Sequence, residues 1–214
     1  MFDKKNIILK RLSDIKNPVI LELGVNRGRS TKIFFDHINN KGGQLFSIDI
    51  RDCSNAITSS KWNFFQCNDL DVNLILKKFP VIEKGIDLLF IDSYHEPNHV
   101  KTLLNIWYYY LKKDGLIYLD DTESYLYRIK KNRILSIVND SINEEIKKFY
   151  HQNYNQLLYT KYYYGTGLAE IQKFSELYVK PNDIKIWNYN IIVSKIYLIL
   201  KKVRFYFLYK FFKK

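Results

Sequence analysis

The chain has 214 residues, 47% apolar and 26% charged, which fits one domain that packs a core and excludes disordered and low-complexity architectures. Cys53 and Cys67 are too few for a disulfide scaffold or a cysteine zinc module, and the first residues lack a signal peptide, so we expect a cytoplasmic protein. The net charge of +12 lies largely after Asp183, the last acidic residue, so the body is nearly neutral and no nucleic-acid surface is indicated for the whole chain.

Apolar periodicity predicts an initial helix over residues 1–16, followed by alternating strands and helices. Strands are predicted at 18–23, 44–50, 63–67, 87–92 and 116–121. Helices are predicted at 31–39 with Ser30 as the cap, at 70–79 before Pro80, and from Pro97 through Leu111 up to Asp114-Gly115. This alternation predicts a doubly wound, Rossmann-like and mostly parallel sheet of the α/β class.

The remaining sequence predicts additions to this sheet. A helix is expected around 130–150, and the apolar runs 156–164 and 168–174 flank a Gly-Thr-Gly turn, which indicates an antiparallel hairpin at the sheet edge. We therefore expect a domain over 1–183 and a basic, aromatic C-terminal tail, expected to be helical, over 184–214.

The loop after the first predicted strand has the composition of a cofactor-binding turn. It runs from Glu22 to Ser30 with glycines at Gly24 and Gly28, and glycine lets the backbone approach a ligand closely. Asp49 ends the second strand, where a carboxylate can accept hydrogen bonds from ribose hydroxyls. Neither the dinucleotide pattern G-x-G-x-x-G nor a phosphate-binding loop is present, so a ribose ligand without pyrophosphate, S-adenosylmethionine, fits best.

With these motifs the sequence resembles the class I S-adenosylmethionine-dependent methyltransferases. ELGVNRGRST (22–31) and SIDI (47–50) resemble their first two motifs. Segments 87–100 and 111–122 are similar to one branch, which contains macrocin and mycinamicin sugar O-methyltransferases and cephalosporin-hydroxylase-like proteins. The resemblance implies cofactor contacts at Glu22, Gly24, Asn26, Gly28, Ser30, Asp49, Asn68 and Asp69.

Three carboxylates stand at the ends of the fourth and fifth strands. Asp92, Asp120 and Asp121 should meet at one sheet edge, where three like charges need protonation or a cation. An all-carboxylate set favours Mg²⁺, with Mn²⁺ or Ca²⁺ as alternatives. The resembled sugar methyltransferases use such an aspartate, an acidic pair and a histidine base in a D-x-x-H arrangement, which implies Asp92 and His95 here.

The string His95-Glu96-Pro97-Asn98-His99 also matches the H-E-x-x-H metalloprotease motif. That motif needs both histidines on one face of a continuous helix, and the proline should instead begin the helix after His95. We therefore exclude a protease and interpret His99 as a histidine on the helix surface.

Residues 187–214 combine apolar, aromatic and basic side chains with no acid. The preferred interpretation is a helix lying on an anionic membrane, near lipid-linked glycans. The alternatives are packing on the body or on a second copy of the chain, and binding of nucleic acid.

The sequence thus predicts an O-methyltransferase that uses S-adenosylmethionine and Mg²⁺ and acts on a hydroxyl of a sugar or glycan-type acceptor. Two alternatives stay open. One is an RNA or DNA methyltransferase that docks through the basic tail, and the other is a non-catalytic cofactor-binding or membrane-adaptor domain.

Overall fold

The computed structural model describes residues 4–175, and the tail lies outside this range. The described elements in chain order are α1 (Lys4–Leu12), β1 (Val19–Leu23), α2 (Arg29–Lys41), β2 (Gln44–Asp49), β3 (Asn63–Gln66), α3 (Val72–Lys78), β4 (Ile86–Ile91), α4 (Pro97–Trp107), β5 (Leu111–Asp120), α5 (Tyr125–Ile129), α6 (Arg133–Gln152), β6 (Leu157–Tyr162) and β7 (Leu168–Lys173).

Within the described range the strands form one seven-stranded sheet in the order β3-β2-β1-β4-β5-β7-β6. Strands β1 to β5 pair in parallel, whereas β7 pairs antiparallel with both β5 and β6. The chain order reverses beside β1, so the ends of β1 and β4 open a crevice there. The predicted α/β class and the antiparallel edge hairpin are both confirmed.

The sheet is covered on both faces, which explains why the strand sequences are almost continuously apolar. On one face Leu21 and Leu23 of β1 pack with buried residues of α3, α4 and α6. On the other face Ile20 packs with buried residues of α1 and α2, including Leu12 and Phe34. Because alternate residues of one strand enter opposite clusters, the sheet is fixed in register and its carboxyl edge is a rigid support for a site.

The expected start of the second helix is wrong. Ser30 does not cap α2, because the helix begins at Arg29 and its N-cap is Gly28, with φ of 71° and no side-chain hydrogen bond. The Ser30 hydroxyl instead donates to a Glu22 carboxylate oxygen at 2.6 Å. A buried acceptor next to the loop thus outweighs the ordinary capping preference of serine.

The expected end of the fourth helix is also wrong. α4 ends at Trp107, a short 3₁₀ turn covers Tyr108–Tyr110, and Leu111 opens β5 opposite Ile86. Asp114, with φ of 62°, lies in a register irregularity inside β5 rather than at a helix end. Leu111 keeps its helical spacing from Leu104, yet pairing with β4 buries it equally well.

No helix within residues 4–175 has the length and apolar character needed to cross a membrane. The predictions made for residues 1–3 and for the tail over 184–214 fall outside the described residues.

Candidate active site

The loop between β1 and α2 is held by a carboxylate and by close backbone contact. Asp49 Oδ2 accepts the backbone N–H groups of Val25 at 2.9 Å and of Asn26 at 3.0 Å. Burial raises the pKa of Asp49, but backbone hydrogen bonds from Asn26, Arg51 and Val25 outweigh it and keep the pKa below its ordinary value. Asp49 is therefore charged at neutral pH, and it fixes the loop in addition to its predicted role at a ribose.

Three residues of this loop have positive φ: Gly24, Asn26 and Gly28. Gly24 has φ of 97°, and a Cβ built on it would lie 2.2 Å from the carbonyl oxygen of Asp92. Asn26 has φ of 50°, a value that asparagine tolerates better than most residues. Asn26 is thus compatible with the turn that the loop makes here.

Glu22 is wholly buried behind the loop and does not line the cavities described below. Its two carboxylate oxygens accept the hydroxyls of Ser30 and Ser47, each at 2.6 Å, and Trp62 Nε1 donates to Ser47 Oγ. Burial raises the pKa of Glu22 from 4.5 to about 7, although the serine hydroxyls act in the opposite direction. The structure therefore places Glu22 as a support of the loop.

A first cavity of about 680 Å³ runs along the carboxyl edge of β1, β2 and β4. Its size is in the range of small-molecule sites. Of the predicted site residues, it is lined by Gly24, Asn26, Asp49, Asn68, Asp69, Asp92, His95 and Asp121. Gly28 lies outside it, where a Cβ would instead meet that of Ala56 at 2.8 Å.

One end of the first cavity contains a histidine that the sequence analysis assigned to the surface. His99 Nε2 lies 3.1 Å from Asp69 Oδ2, and its ring contacts Tyr94 edge to face. Trp107 Nε1 donates to the backbone carbonyl of Asp69. The interpretation of His99 as a surface residue is wrong, because the first turn of α4 faces the sheet edge. The sequence signal for this was the place of His99 in the first helical turn after Pro97.

A second cavity of about 500 Å³ adjoins the first and shares Asn26 and Asp92 with it. It lies between α1, the β1–α2 loop and the ends of β4 and β5, and it is lined by Ser30 and Asp120 among others. Asp92 thus stands where the two cavities meet.

The three predicted metal ligands line these cavities together with a lysine. Lys4 Nζ, from α1, contacts Asp120, lies 3.5 Å from Asp121 Oδ1 and donates to Thr166 Oγ1 at 2.7 Å. Burial and the charges of Asp120 and Asp121 raise the pKa of Asp92 to about 8, against the opposing charge of Lys4. The three carboxyls thus lie near one another, with the Lys4 ammonium group on Asp120 and Asp121.

Among residues 4–175, no group of three or more acidic, histidine or cysteine side chains is already arranged around a metal position. Asp121 has a left-handed φ of 51°, and its backbone N–H donates to Asp120 Oδ1. His95 precedes α4, as predicted, and its Nε2 lies 3.7 Å from Asp92 Oδ1. Glu96 is the N-cap of α4 and accepts the backbone N–H of His99, which excludes the metalloprotease geometry.

A protein-family model described as a methyltransferase domain matches residues 21–122. This segment contains the β1–α2 loop, Asp49 and the three predicted metal ligands. The chain carries a class I S-adenosylmethionine-dependent methyltransferase domain. This confirms the expected family, the enzyme class and S-adenosylmethionine as the cofactor. A search of curated protein sequences gave no significant match.

Solved structures similar to this methyltransferase share its fold at low identity. A Staphylococcus aureus protein assigned as a caffeoyl-CoA O-methyltransferase is 18% identical, with a TM-score of 0.61 over 81% of this chain and 85% of that one. The SAH-bound methyltransferase PaMTH1 of Podospora anserina is 16% identical, with a TM-score of 0.57 over 79% and 76%.

The MycE methyltransferase of the mycinamycin biosynthetic pathway, solved with Mg and S-adenosylhomocysteine, is 15% identical with a TM-score of 0.58. The match covers 86% of this chain but 52% of MycE, so this chain spans about half the length of that enzyme. MycE has also been solved with Mg, S-adenosylhomocysteine and mycinamycin VI.

Proposed function

We propose that this methyltransferase transfers the methyl group to a hydroxyl of a sugar or glycan-type acceptor, with Mg²⁺ held by Asp92, Asp120 and Asp121. One observation carries the proposal. Asp92 lies where the first cavity meets the second, and the carboxyls of Asp120 and Asp121 line the same two cavities with Lys4 as the cation that contacts them.

The residues present suit a hard divalent ion, since carboxylate oxygens are the ligands that Mg²⁺ prefers. Asp92, Asp120 and Asp121 would hold the ion, which would compete with Lys4 Nζ for Asp120 and Asp121. When bound, Mg²⁺ lowers the pKa of a coordinated hydroxyl and holds it in place for transfer. The Mg in the structurally similar MycE supports this assignment.

His95 is proposed as the base that accepts the proton of the acceptor hydroxyl. It lines the cofactor cavity and is about one-third exposed, so an acceptor can reach its ring. Asp92, 3.7 Å from His95 Nε2, would orient the ring and stabilise it once protonated. Histidine suits this step because its ordinary pKa lies near neutral pH.

The cofactor contacts follow the shape of the first cavity. Asp49 would accept the ribose hydroxyls with the lone pairs that the loop leaves free, and Gly24 would let the backbone approach the cofactor. Asn68 and Asp69, with His99, would surround the adenine at the far end. Gly28 and Ser30 would act by shaping the loop.

The direct test measures methyl transfer from labelled S-adenosylmethionine to a panel of free sugars, sugar phosphates and glycolipids. We expect activity that EDTA abolishes and Mg²⁺ restores. His95→Gln should lower turnover about 10²-fold or more without changing the affinity for S-adenosylhomocysteine. His151→Gln, at an exposed residue of α6, is the matched control and should keep full activity.

Three outcomes would contradict the proposal. Full activity in EDTA would rule out the proposed role of Mg²⁺. Methylation of RNA or DNA instead of hydroxyl acceptors would favour a nucleic-acid methyltransferase. Failure to bind S-adenosylhomocysteine would remove the cofactor assignment itself.

The basic aromatic segment 187–214 is proposed to hold the enzyme at an anionic membrane, where lipid-linked glycans are found. The full chain should pellet with vesicles containing phosphatidylglycerol, and a chain truncated after residue 186 should stay in the supernatant. Equal pelleting of both chains would contradict this role, and salt-sensitive RNA binding lost on truncation would support the nucleic-acid alternative.

A further inference from the structure

The second cavity has an apolar floor. Val25, Phe34, Phe90 and Leu168 are buried and line it, whereas Asp92 marks its boundary with the cofactor cavity. A volume of about 500 Å³ accommodates a sugar ring with a substituent. This shape suits an acceptor whose ring lies on the apolar floor and whose hydroxyl reaches Asp92.

The rim of the second cavity is basic. Lys5 comes from α1, Arg27 from the loop and Arg29 from the first turn of α2, and all three are exposed residues that line the cavity. Within the part of the chain that the structure describes, none of the three forms an ion pair with an acidic side chain. Positive charge from three segments of the chain therefore converges on one opening, and none of the three side chains is paired with an acidic side chain among the described residues.

This arrangement works against the local stability of α2. The amino terminus of a helix carries partial positive charge, so a cation there is unfavourable and an anion favourable. The first turn of α2 has no acidic residue, and Gly28 supplies no side-chain cap. Arg27 and Arg29 thus raise the positive potential at a place where the fold alone would favour a carboxylate.

We propose that the acceptor of this enzyme carries a phosphate group, which Arg27, Arg29 and Lys5 bind at the rim while the reacting hydroxyl lies at Asp92. This inference rests on the proposed function and specifies its substrate class. Phosphate fits better than carboxylate because it offers more oxygens and charge to two forked guanidinium groups and an ammonium group. The carboxylate of the cofactor is the other anion within reach, and the test separates the two.

The test uses three ligands with the same sugar ring: glucose, glucuronate and glucose 6-phosphate. Their affinities are measured by calorimetry on the full chain saturated with S-adenosylhomocysteine and Mg²⁺. Glucose 6-phosphate should bind at least about tenfold more tightly than glucose, with glucuronate between them. The double variant Arg27→Gln/Arg29→Gln should abolish this preference. Lys41→Gln, at the opposite end of α2, should keep it.

Two further measurements on the same variants complete the test. The double variant should bind S-adenosylhomocysteine as the wild type does, and its melting temperature should not fall, since it loses two cations near a helix amino terminus. Equal or undetectable binding of the three sugars would overturn the inference, while intact S-adenosylhomocysteine binding would leave the cofactor assignment standing. A weaker affinity of the double variant for S-adenosylhomocysteine would overturn it in favour of the cofactor carboxylate, and a lower melting temperature would indicate a structural role.

Discussion

At the scale of single residues, the cofactor loop depends on groups that do two things at once. Asp49 is proposed to bind the ribose, and it accepts hydrogen bonds from two backbone N–H groups of the loop. Sequence patterns predict the first role, because it follows from strand position and spacing. They do not predict the second, because it depends on how the loop folds back over β2.

Gly24 gives a direct test of the loop geometry. Gly24→Ala would place a methyl group 2.2 Å from the carbonyl oxygen of Asp92 in a backbone conformation with φ of 97°. We expect at least about tenfold weaker binding of S-adenosylhomocysteine and a loss of more than about 1 kcal/mol in the free energy of unfolding. Calorimetry and urea denaturation measure these effects.

Gly165→Ala is the matched control, since Gly165 also has a positive φ, of 60°, but nothing lies within 4 Å of an added Cβ. This variant should lose free energy of unfolding only through the strained backbone conformation, and it should bind S-adenosylhomocysteine as the wild type does. Equal effects of the two variants on cofactor binding would contradict the close contact between Gly24 and Asp92.

Glu22 predicts a pH dependence of stability. Its pKa rises from 4.5 to about 7 on folding, so the native state favours the protonated form, and this contribution is complete below pH 4.5 and lost as the pH rises through 7. Glu22→Gln removes the titration. The variant should be more stable than the wild type at pH 8, by up to about 3 kcal/mol, and close to it at pH 5. Urea denaturation at both pH values measures the difference.

Glu83→Gln, at an exposed residue, is the control and should follow the wild type at every pH. A Glu22→Gln variant whose stability difference from the wild type does not change with pH would show that Glu22 is ionised in the native state.

At the scale of elements, α1 is more than a covering helix. Its Lys4 crosses to the end of β5 and contacts Asp120, Asp121 and Thr166. The sequence predicts the helix from its apolar spacing, but this contact joins residues more than a hundred positions apart, and no local pattern contains it.

Lys4→Met should strengthen the binding of Mg²⁺, by about tenfold, because the ammonium group competes for the carboxylates proposed as metal ligands. In EDTA the same variant should lose about 1 kcal/mol of stability, since two aspartates lose their counter-ion. Mg²⁺ titration by calorimetry and denaturation in EDTA measure the two effects.

Lys10→Met, at an exposed residue in the last turn of α1, should leave both quantities unchanged. Weaker Mg²⁺ binding in the Lys4→Met variant would contradict competition between the lysine and the ion.

Element boundaries show where prediction from sequence stops. Ser30 has the residue type of a helix cap, yet its hydroxyl is taken by a buried glutamate. Leu111 has helical spacing from Leu104, yet it belongs to β5, where it pairs with Ile86. His99 has a polar sequence context, yet the first turn of α4 faces the cofactor cavity. In each case a partner distant in sequence decides the local structure.

At the scale of the whole molecule, the mostly parallel α/β sheet with its antiparallel edge hairpin is the most predictable feature, because apolar strands alternating with helices leave few topologies. The same topology accounts for the convergence of Asp49, Asp92 and Asp121 on one cavity, although they come from three different strand ends. The shape and charge of the second cavity were not predictable, since they arise where α1 meets the loop and the strand ends. The family match therefore identifies the cofactor, while the proposed acceptor rests on the shape and charge of this cavity.

Asp92, Asp120 and Asp121 are proposed to hold a divalent ion beside the methyl donor. The most direct measurement is anomalous diffraction from crystals of the full chain grown with Mn²⁺ and S-adenosylhomocysteine. We expect a single strong peak within about 2.3 Å of oxygens from all three aspartates, next to the cofactor sulfur, with Lys4 Nζ no longer in contact with Asp120 and Asp121. Bound S-adenosylhomocysteine with no such peak, and Lys4 still on Asp120 and Asp121, would contradict it.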